Sequence, residues 1–309
     1  MRIIFMGTPD FAVATLQRLV ENGFEVVAAI TAPDKPVGRG QKMSESPVKK
    51  YALSRGIPVL QPEKLKNKVF LEELATYKAD LQVVVAFRML PEAVWAMPKM
   101  GTINLHGSLL PQYRGAAPIN WAVINGEIMT GVTTFFIEKE IDTGNIIFSE
   151  NIEIKATDTA GDLHDRMMWI GGDLMVKTVK AIESGVYPSV KQDFSQELKP
   201  APKIFKETCK IEWQKEAKTI YDFVRGLSPY PAAWTTLDGK VLKIFETEIV
   251  NEELLELDNF VFEEFKLKTD HKKHLLIQTS DSFLAIKSLQ LEGKKRMTTE
   301  EFLRGYRFF

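Results

Sequence analysis

Apolar residues in the first half of the chain come in short runs separated by stretches of mixed polarity. Arg2–Met6 reads as a buried strand, and Phe11–Glu21 as a helix ended by Asn22-Gly23. Val26–Thr31 is a second strand, Val48–Ser54 a helix stopped at Arg55-Gly56, and Ile57–Leu60 a short strand. Lys66–Tyr77 follows as a helix, Leu81–Phe87 as a strongly apolar strand and Thr102–Leu105 as another. Strands covered on both faces are rich in β-branched residues, and strand–helix alternation winds such strands side by side. The fold class expected is therefore α/β, with a doubly wound, mostly parallel Rossmann-like sheet. After Gly131 the rhythm changes. Val132–Glu138 and Asn145–Ile154 read as strands about the turn Asp142-Thr143-Gly144, and Gly161–Glu183 as a long helix closed by Ser184-Gly185.

Around Pro188, Pro200 and Pro202 the periodicity fades, which predicts a linker over 188–207 between a first domain at 1–187 and a second at 208–309. Within the second, Ala217–Gly226 reads as a helix. Short strands follow, with turns at Asp238-Gly239 and near Asp281-Ser282, as in a small all-β, OB-like barrel. Between Glu246 and Glu264 lie eight acidic residues and no basic one, which reads as a solvated, mobile face.

A length of 309 residues accommodates two such domains. The net charge is −1, and 18 basic residues balance 18 acidic ones from position 200 onward. Nucleic acid, if bound, must then meet local patches rather than a general basic field. The single cysteine, Cys209, excludes an internal disulfide and argues against a zinc–thiolate site. Only His271 and His274 of the four histidines lie close together, among lysines, and they read as surface residues, so no metal is expected. No apolar run approaches the ~20 residues of a membrane span, and the first apolar stretch is too short for a signal peptide. A cytoplasmic protein is expected.

Gly7-Thr8-Pro9-Asp10 follows a strand but lacks the three glycines of a dinucleotide loop, and Pro9 has no N–H to offer a phosphate. It reads as a strand-to-helix turn with a helix cap. Asn104 and His106 are different. Two-residue spacing at the end of a strand puts both side chains on one face, where open α/β sheets form their ligand crevices. An amide there can donate to a developing oxyanion, and an imidazole can exchange protons near neutrality. Spacing alone equally allows a structural histidine beside a turn. Asp142 on its own is ordinary turn chemistry. Beside His106 it would favour a charged imidazole.

The run Asn104-Leu105-His106-Gly107-Ser108-Leu109-Leu110-Pro111, with Tyr113-Arg114-Gly115-Ala116-Ala117-Pro118-Ile119 after it, resembles the signature of the folate-dependent formyltransferases. Asp142-Thr143-Gly144 resembles that family's second catalytic stretch. The resemblance implies 10-formyltetrahydrofolate as donor, with Asn104, His106 and Asp142 as catalytic residues. It also implies a folate pocket walled by Phe87, Arg88, Met89 and Leu90 and by Ser108, Leu109, Leu110 and Pro111. Where the family usually has a tyrosine–glycine pair, this chain has Phe87-Arg88, which adds bulk and charge at that wall.

Three further segments are similar to the members that act on methionyl initiator tRNA. They are Gly7–Ala12, Pro33–Lys42 with Ser46-Pro47-Val48-Lys49, and Gly293-Lys294-Lys295-Arg296-Met297 with Glu301-Phe302. This likeness implies a loop over 34–49 that reaches the acceptor stem through Lys35, Arg39, Lys42 and Lys49. It also implies phosphate contacts from Lys294, Lys295 and Arg296, and the chain is expected to be a monomer. Trp213, Trp234 and Tyr230 could add a nucleic-acid surface, although aromatics in a small domain are more often core, and Trp234 is assigned there. Two alternatives stay open: the same chemistry on a glycinamide ribonucleotide or amino-sugar acceptor, and a folate- or RNA-binding protein without activity.

Overall fold

The computed structural model describes residues 1–37, 42–250, 257–262 and 264–308. In chain order its elements begin β1 (Arg2–Gly7), α1 (Asp10–Glu21), β2 (Glu25–Ile30), β3 (Lys35–Val37), β4 (Lys42–Ser44), α2 (Pro47–Ser54), β5 (Val59–Leu60), α3 (Lys68–Thr76), β6 (Leu81–Val85), α4 (Glu92–Trp95) and β7 (Thr102–His106). They continue with α5 (Pro118–Ile124), β8 (Met129–Phe136), β9 (Ile146–Glu153), α6 (Ala160–Ser184), α7 (Ala217–Leu227), β10 (Ala233–Leu237), β11 (Lys240–Val250), β12 (Asp258–Val261), β13 (Lys266–Thr269), β14 (Leu275–Gln278), β15 (Phe283–Leu291), β16 (Met297–Thr298) and α8 (Thr299–Gly305). Two compact units share the chain. One holds residues 1–118, 129–153 and 164–200; the other holds 119–128, 154–163 and 201–309.

The first unit is built on a seven-stranded sheet in the order β5-β2-β1-β6-β7-β8-β9. From β5 to β7 every pairing is parallel, and β8 and β9 add an antiparallel edge. The doubly wound, mostly parallel sheet expected from the sequence is what forms. All five residues of β6 are buried, as a strand covered on both faces requires. The chain runs outward from β1 to β2 and β5, then returns to β6 on the other side. The crevice between β1 and β6 is thus the topological switch point, where such sheets bind ligands beyond the strand carboxyl ends.

Gly7 closes β1 at that point. A Cβ there would lie 2.5 Å from the Ala12 Cβ and 2.9 Å from the Val85 carbonyl oxygen, so only glycine lets strand and helix approach this closely. The expected cap is absent, however: Pro9 stands at the N-cap of α1 with no side-chain hydrogen bond. The strand expected over Leu81–Phe87 stops at Val85, because Ala86 turns into the left-handed region at φ 47°.

The second unit is an antiparallel sheet in the order β10-β11-β15-β14-β13-β12, with β16 beside β15. It curls about one core that gathers Leu237, Ile244, Leu267, Ile277 and Ile286 from successive strands, together with Val224 of α7 and Phe302 of α8. The barrel expectation is met by this curled sheet, to which the two helices are added. Its other segments are tied to α7. The Asn120 side-chain amide donates to the Gly226 carbonyl at 2.8 Å, and the Arg225 guanidinium donates to the Asp158 carbonyl at 2.8 Å and to the Asp222 carboxylate at 2.7 Å. Arg225 and Asp222 are both buried. Arg225→Ala is expected to cost about 1–3 kcal/mol, because the Asp158 carbonyl loses its donor and the Asp222 carboxylate keeps only the Lys218 ammonium, and urea denaturation reads it; an unchanged midpoint contradicts it.

The linker expected over 188–207 is not a free connector. Val190 pairs with Ile146 through backbone bonds of 2.8 and 2.9 Å, and the Tyr113 N–H donates to the Lys199 carbonyl at 2.7 Å. Residues up to 200 thus form a strap on the first unit, while Ala201 onward belongs to the second. Periodicity could not show this, since the strap is held by partners far away in the chain. No helix among the described residues is long and apolar enough to cross a membrane.

Candidate active site

The carboxyl end of β7 carries the first two site residues. Along Thr102–His106 every residue is buried except Asn104, which is half-buried and so the accessible position of the strand. Its side-chain amide makes no hydrogen bond among the described residues, which leaves its donors free for a ligand. His106, two positions on and on the same face, is buried and paired across the ladder with Thr133.

Two partners frame the imidazole. Nε2 lies 2.8 Å from the carbonyl oxygen of Tyr113. A carbonyl can only accept, so Nε2 carries the proton in this contact. Nδ1 then faces the Asp142 Oδ2 at 3.9 Å. That separation is longer than a hydrogen bond but within ion-pair range. In the neutral ring Nδ1 is the proton-accepting atom, and once protonated it faces a carboxylate. The fold thus brings the Asp142 carboxylate beside the His106 ring.

Asp142 reaches this place by a return path. The Ile137 N–H bonds the Thr102 carbonyl at 2.8 Å, so residues 137–145 leave β8 beside the opening of β7 and fold back toward its end. Asp142 sits in the left-handed region at φ 54° and accepts the Gly115 N–H at 3.1 Å. Gly144 makes the turn possible: a Cβ there would fall 1.7 Å from the Phe136 carbonyl oxygen.

Residues after His106 are organised by two hydroxyls. The Ser108 Oγ donates to the Gln112 carbonyl at 2.6 Å, and the Thr133 Oγ1 donates to the Ser108 carbonyl at 2.7 Å. The same Thr133 oxygen accepts the Leu110 N–H at 3.2 Å. Ser108 and Leu110 are buried, whereas Leu109 and Pro111 are half-buried. Thr133 was not singled out in the sequence, and the signal that could have found it is its cross-strand pairing with His106.

On the other wall, Phe87 and Leu90 pack against the sheet core and Met89 is exposed. Arg88 donates to the carbonyls of Pro62 and Glu63, and its guanidinium lies 5.6 Å from the centre of the Phe87 ring. The charge that interrupts the family's pattern is thus directed at the 62–63 turn.

The basic residues fare unevenly. Lys35 is exposed on β3, and Arg39 and the side chain of Lys42 lie outside the described residues. Lys49 is engaged by Asp34 at 2.5 Å and Glu45 at 3.1 Å. The Lys49 ammonium, followed by the Gln61 amide, holds the Asp34 carboxyl below its ordinary value, and Asp34 in turn raises Lys49. A lowered carboxyl gives stability that is present above its unfolded value and lost as pH falls through its folded one, so this latch opens toward acid.

Lys294 and Lys295 are exposed, while Arg296 bonds the Ser288 Oγ at 2.8 Å and lies 4.4 Å from the Phe245 ring centre. Trp213 is core, with its Nε1 donating to Thr235, and Trp234 is partly buried against that core. Tyr230 is 81% exposed. His271 and His274 each pair with an aspartate, Asp258 and Asp270. Of the acidic stretch, Glu248 pairs with Lys287 and Glu264 with Lys210, so these two are not merely solvated. Residues 251–256 and Glu263 lie outside the described residues.

Known proteins match this chain over nearly all of its length. The Formyl transferase family matches residues 1–179, and its C-terminal domain matches residues 203–307. The methionyl-tRNA formyltransferase of Bacteroides thetaiotaomicron is 54% identical over 99% of this chain and 96% of its own. That of Flavobacterium johnsoniae is 50% identical over 100% of this chain and 97% of its own. Among solved structures, the sugar 3N-formyltransferase WlaRD, crystallised with dTDP and 5-N-formyl-THF, superposes with a TM-score of 0.65 at 23% identity over 96% of this chain and 99% of that one. HypX from Aquifex aeolicus, in complex with tetrahydrofolic acid, gives 0.66 at 18% identity over 98% of this chain and 47% of that one. With both halves matched in order, and with relatives of this identity along the whole length, the chain belongs to the formyl transferase family, among the methionyl-tRNA formyltransferases.

Proposed function

We propose that this protein transfers the formyl group of 10-formyltetrahydrofolate to the α-amino group of methionyl initiator tRNA. The observation that carries the reading is the Asn104–His106–Asp142 arrangement at the end of β7, in a chain whose relatives of about half identity are methionyl-tRNA formyltransferases. The folate supplies an acyl carbon on an amine that can leave. Asn104, with its amide free, donates to the formyl oxygen as negative charge gathers there. His106 takes up the proton that the attacking amine releases and returns it to the departing nitrogen, using Nδ1 because Nε2 is committed to Tyr113. Asp142 stabilises the imidazolium between these two transfers.

Phe87, Arg88, Met89 and Leu90 would form one wall for the folate, and Ser108, Leu109, Leu110 and Pro111 the other. Arg88 is engaged by the backbone carbonyls of Pro62 and Glu63. Lys35, Arg39, Lys42, Lys294, Lys295 and Arg296 are the proposed tRNA contacts. Lys49 is a further proposed contact, and it also latches the base of the 34–49 loop through Asp34. The proposed acceptor places the protein in the cytoplasm. Incubating the protein with 10-formyltetrahydrofolate and three acceptors, namely methionyl initiator tRNA, glycinamide ribonucleotide and an amino-sugar nucleotide, tests the reading. Formylation of the tRNA alone is expected. Formylation of a small acceptor alone would overturn the tRNA assignment, and no transfer would overturn the enzyme.

A further inference from the structure

Residues 180–202 fall between the two matched family segments, yet they supply a side chain to the site. We propose that Gln192 is a positioning residue, which fixes Asp142 at its working distance from His106. The proposal rests on the formyl-transfer reading above. Gln192 is 4% exposed, and its Nε2 donates to the carbonyls of both Asp142, at 2.8 Å, and Gly144, at 2.9 Å. Both amide hydrogens are thus spent on the one turn that holds Asp142 at φ 54°. A non-glycine residue in that region persists only where its surroundings over-determine it. Among the described residues the Gln192 Oε1 has no hydrogen-bond partner, so donation is the whole of its polar role there.

Gln192 is itself anchored. Val190 is bonded both ways to Ile146, and the Asn145 amide donates to the Ser189 Oγ at 3.0 Å. The same strap then reaches the other half of the couple. The Lys199 carbonyl accepts the Tyr113 N–H at 2.7 Å, and the Gln112 side chain spans the Glu197 carbonyl at 3.0 Å and the Lys199 N–H at 2.8 Å. Tyr113 is the residue whose carbonyl meets the His106 Nε2. One strap therefore holds the carboxylate at one end and the peptide that orients the imidazole at the other.

Gln192→Met keeps the length of the side chain and removes both donors. It is expected to fold with a modestly lowered melting temperature, two hydrogen bonds being lost, and to lose roughly ten- to hundredfold in kcat, the scale of a displaced catalytic group. KM for 10-formyltetrahydrofolate and for methionyl initiator tRNA should stay within about twofold, because ground-state binding is untouched. In an Asp142→Asn background the same substitution should cost nothing more, whereas a merely structural effect would add to it. Wild-type kcat in Gln192→Met, or a fully additive loss with Asp142→Asn, overturns the proposal. If Gln192→Met does not fold, Gln192→Glu, whose carboxylate only accepts, is scored by the same criteria. A wild-type protein that transfers no formyl group overturns the underlying reading instead.

Discussion

Alanine in place of His106 is expected to lower kcat for formyl transfer by about 10²–10⁴-fold, the usual worth of a positioned acid–base group. No other histidine can substitute. His164, His271 and His274 each pair with an aspartate of their own, Asp165, Asp258 and Asp270. The loss should fall on kcat, since the buried ring acts on the proton in transit and adds little to substrate binding. His106→Gln sharpens the test. Its amide can still donate toward the Tyr113 carbonyl, but it cannot take up a proton, so it should be as slow as the alanine variant. Single-turnover kinetics on preformed complexes measure this. A His106→Ala protein within about threefold of wild type would remove the imidazole from the mechanism, since such a change is far below what acid–base catalysis contributes.

Asn104→Ala is the second large effect, expected at about 10²–10³-fold in kcat, the scale of one lost donor to an oxyanion. The physical ground is that the Asn104 amide is half-buried and uncommitted, so its dipole is not compensated elsewhere. Asn104→Asp should be slower still, because a carboxylate would oppose the charge that forms on the formyl oxygen. Stability should barely move in either variant, as no hydrogen bond of the folded chain is lost. Equal loss of kcat and kcat/KM would mark an interaction made in the transition state, and a change confined to KM would sink the oxyanion role.

How much of this was legible in the sequence differs from part to part. The parallel strands could be read because burial on both faces leaves continuous apolar runs, as in Leu81–Val85. Asn104 and His106 could be paired because a strand has a period of two. The approach of Asp142 could not, since it depends on residues 137–145 folding back over β7, and only the family resemblance pointed there. The ribbon of β3 and β4 was hidden in a stretch rich in lysine, glycine and proline, which reads as plain loop. The Lys49–Asp34 pair escaped notice for a related reason: both residues were visible in the sequence, but nothing local says that the chain returns to close the pair. Gln192 escaped notice because the strap has neither helical nor strand periodicity, and its meaning lies wholly in whom it touches.

The division of the chain into two units has a consequence for its genetics. The backbone passes from one unit to the other five times, at 118, 128, 153, 163 and 200. A recombination event near residue 200, between the two family segments, would thus exchange most of the second unit but leave behind its two earlier pieces. Arg225 and Asn120 would then have to find their partners across a parental boundary. Relatives can trade this region freely only where residues 119–128 and 154–163 are inherited in a matching form, so the pieces of the second unit are bound to descend together although they are far apart in the reading frame.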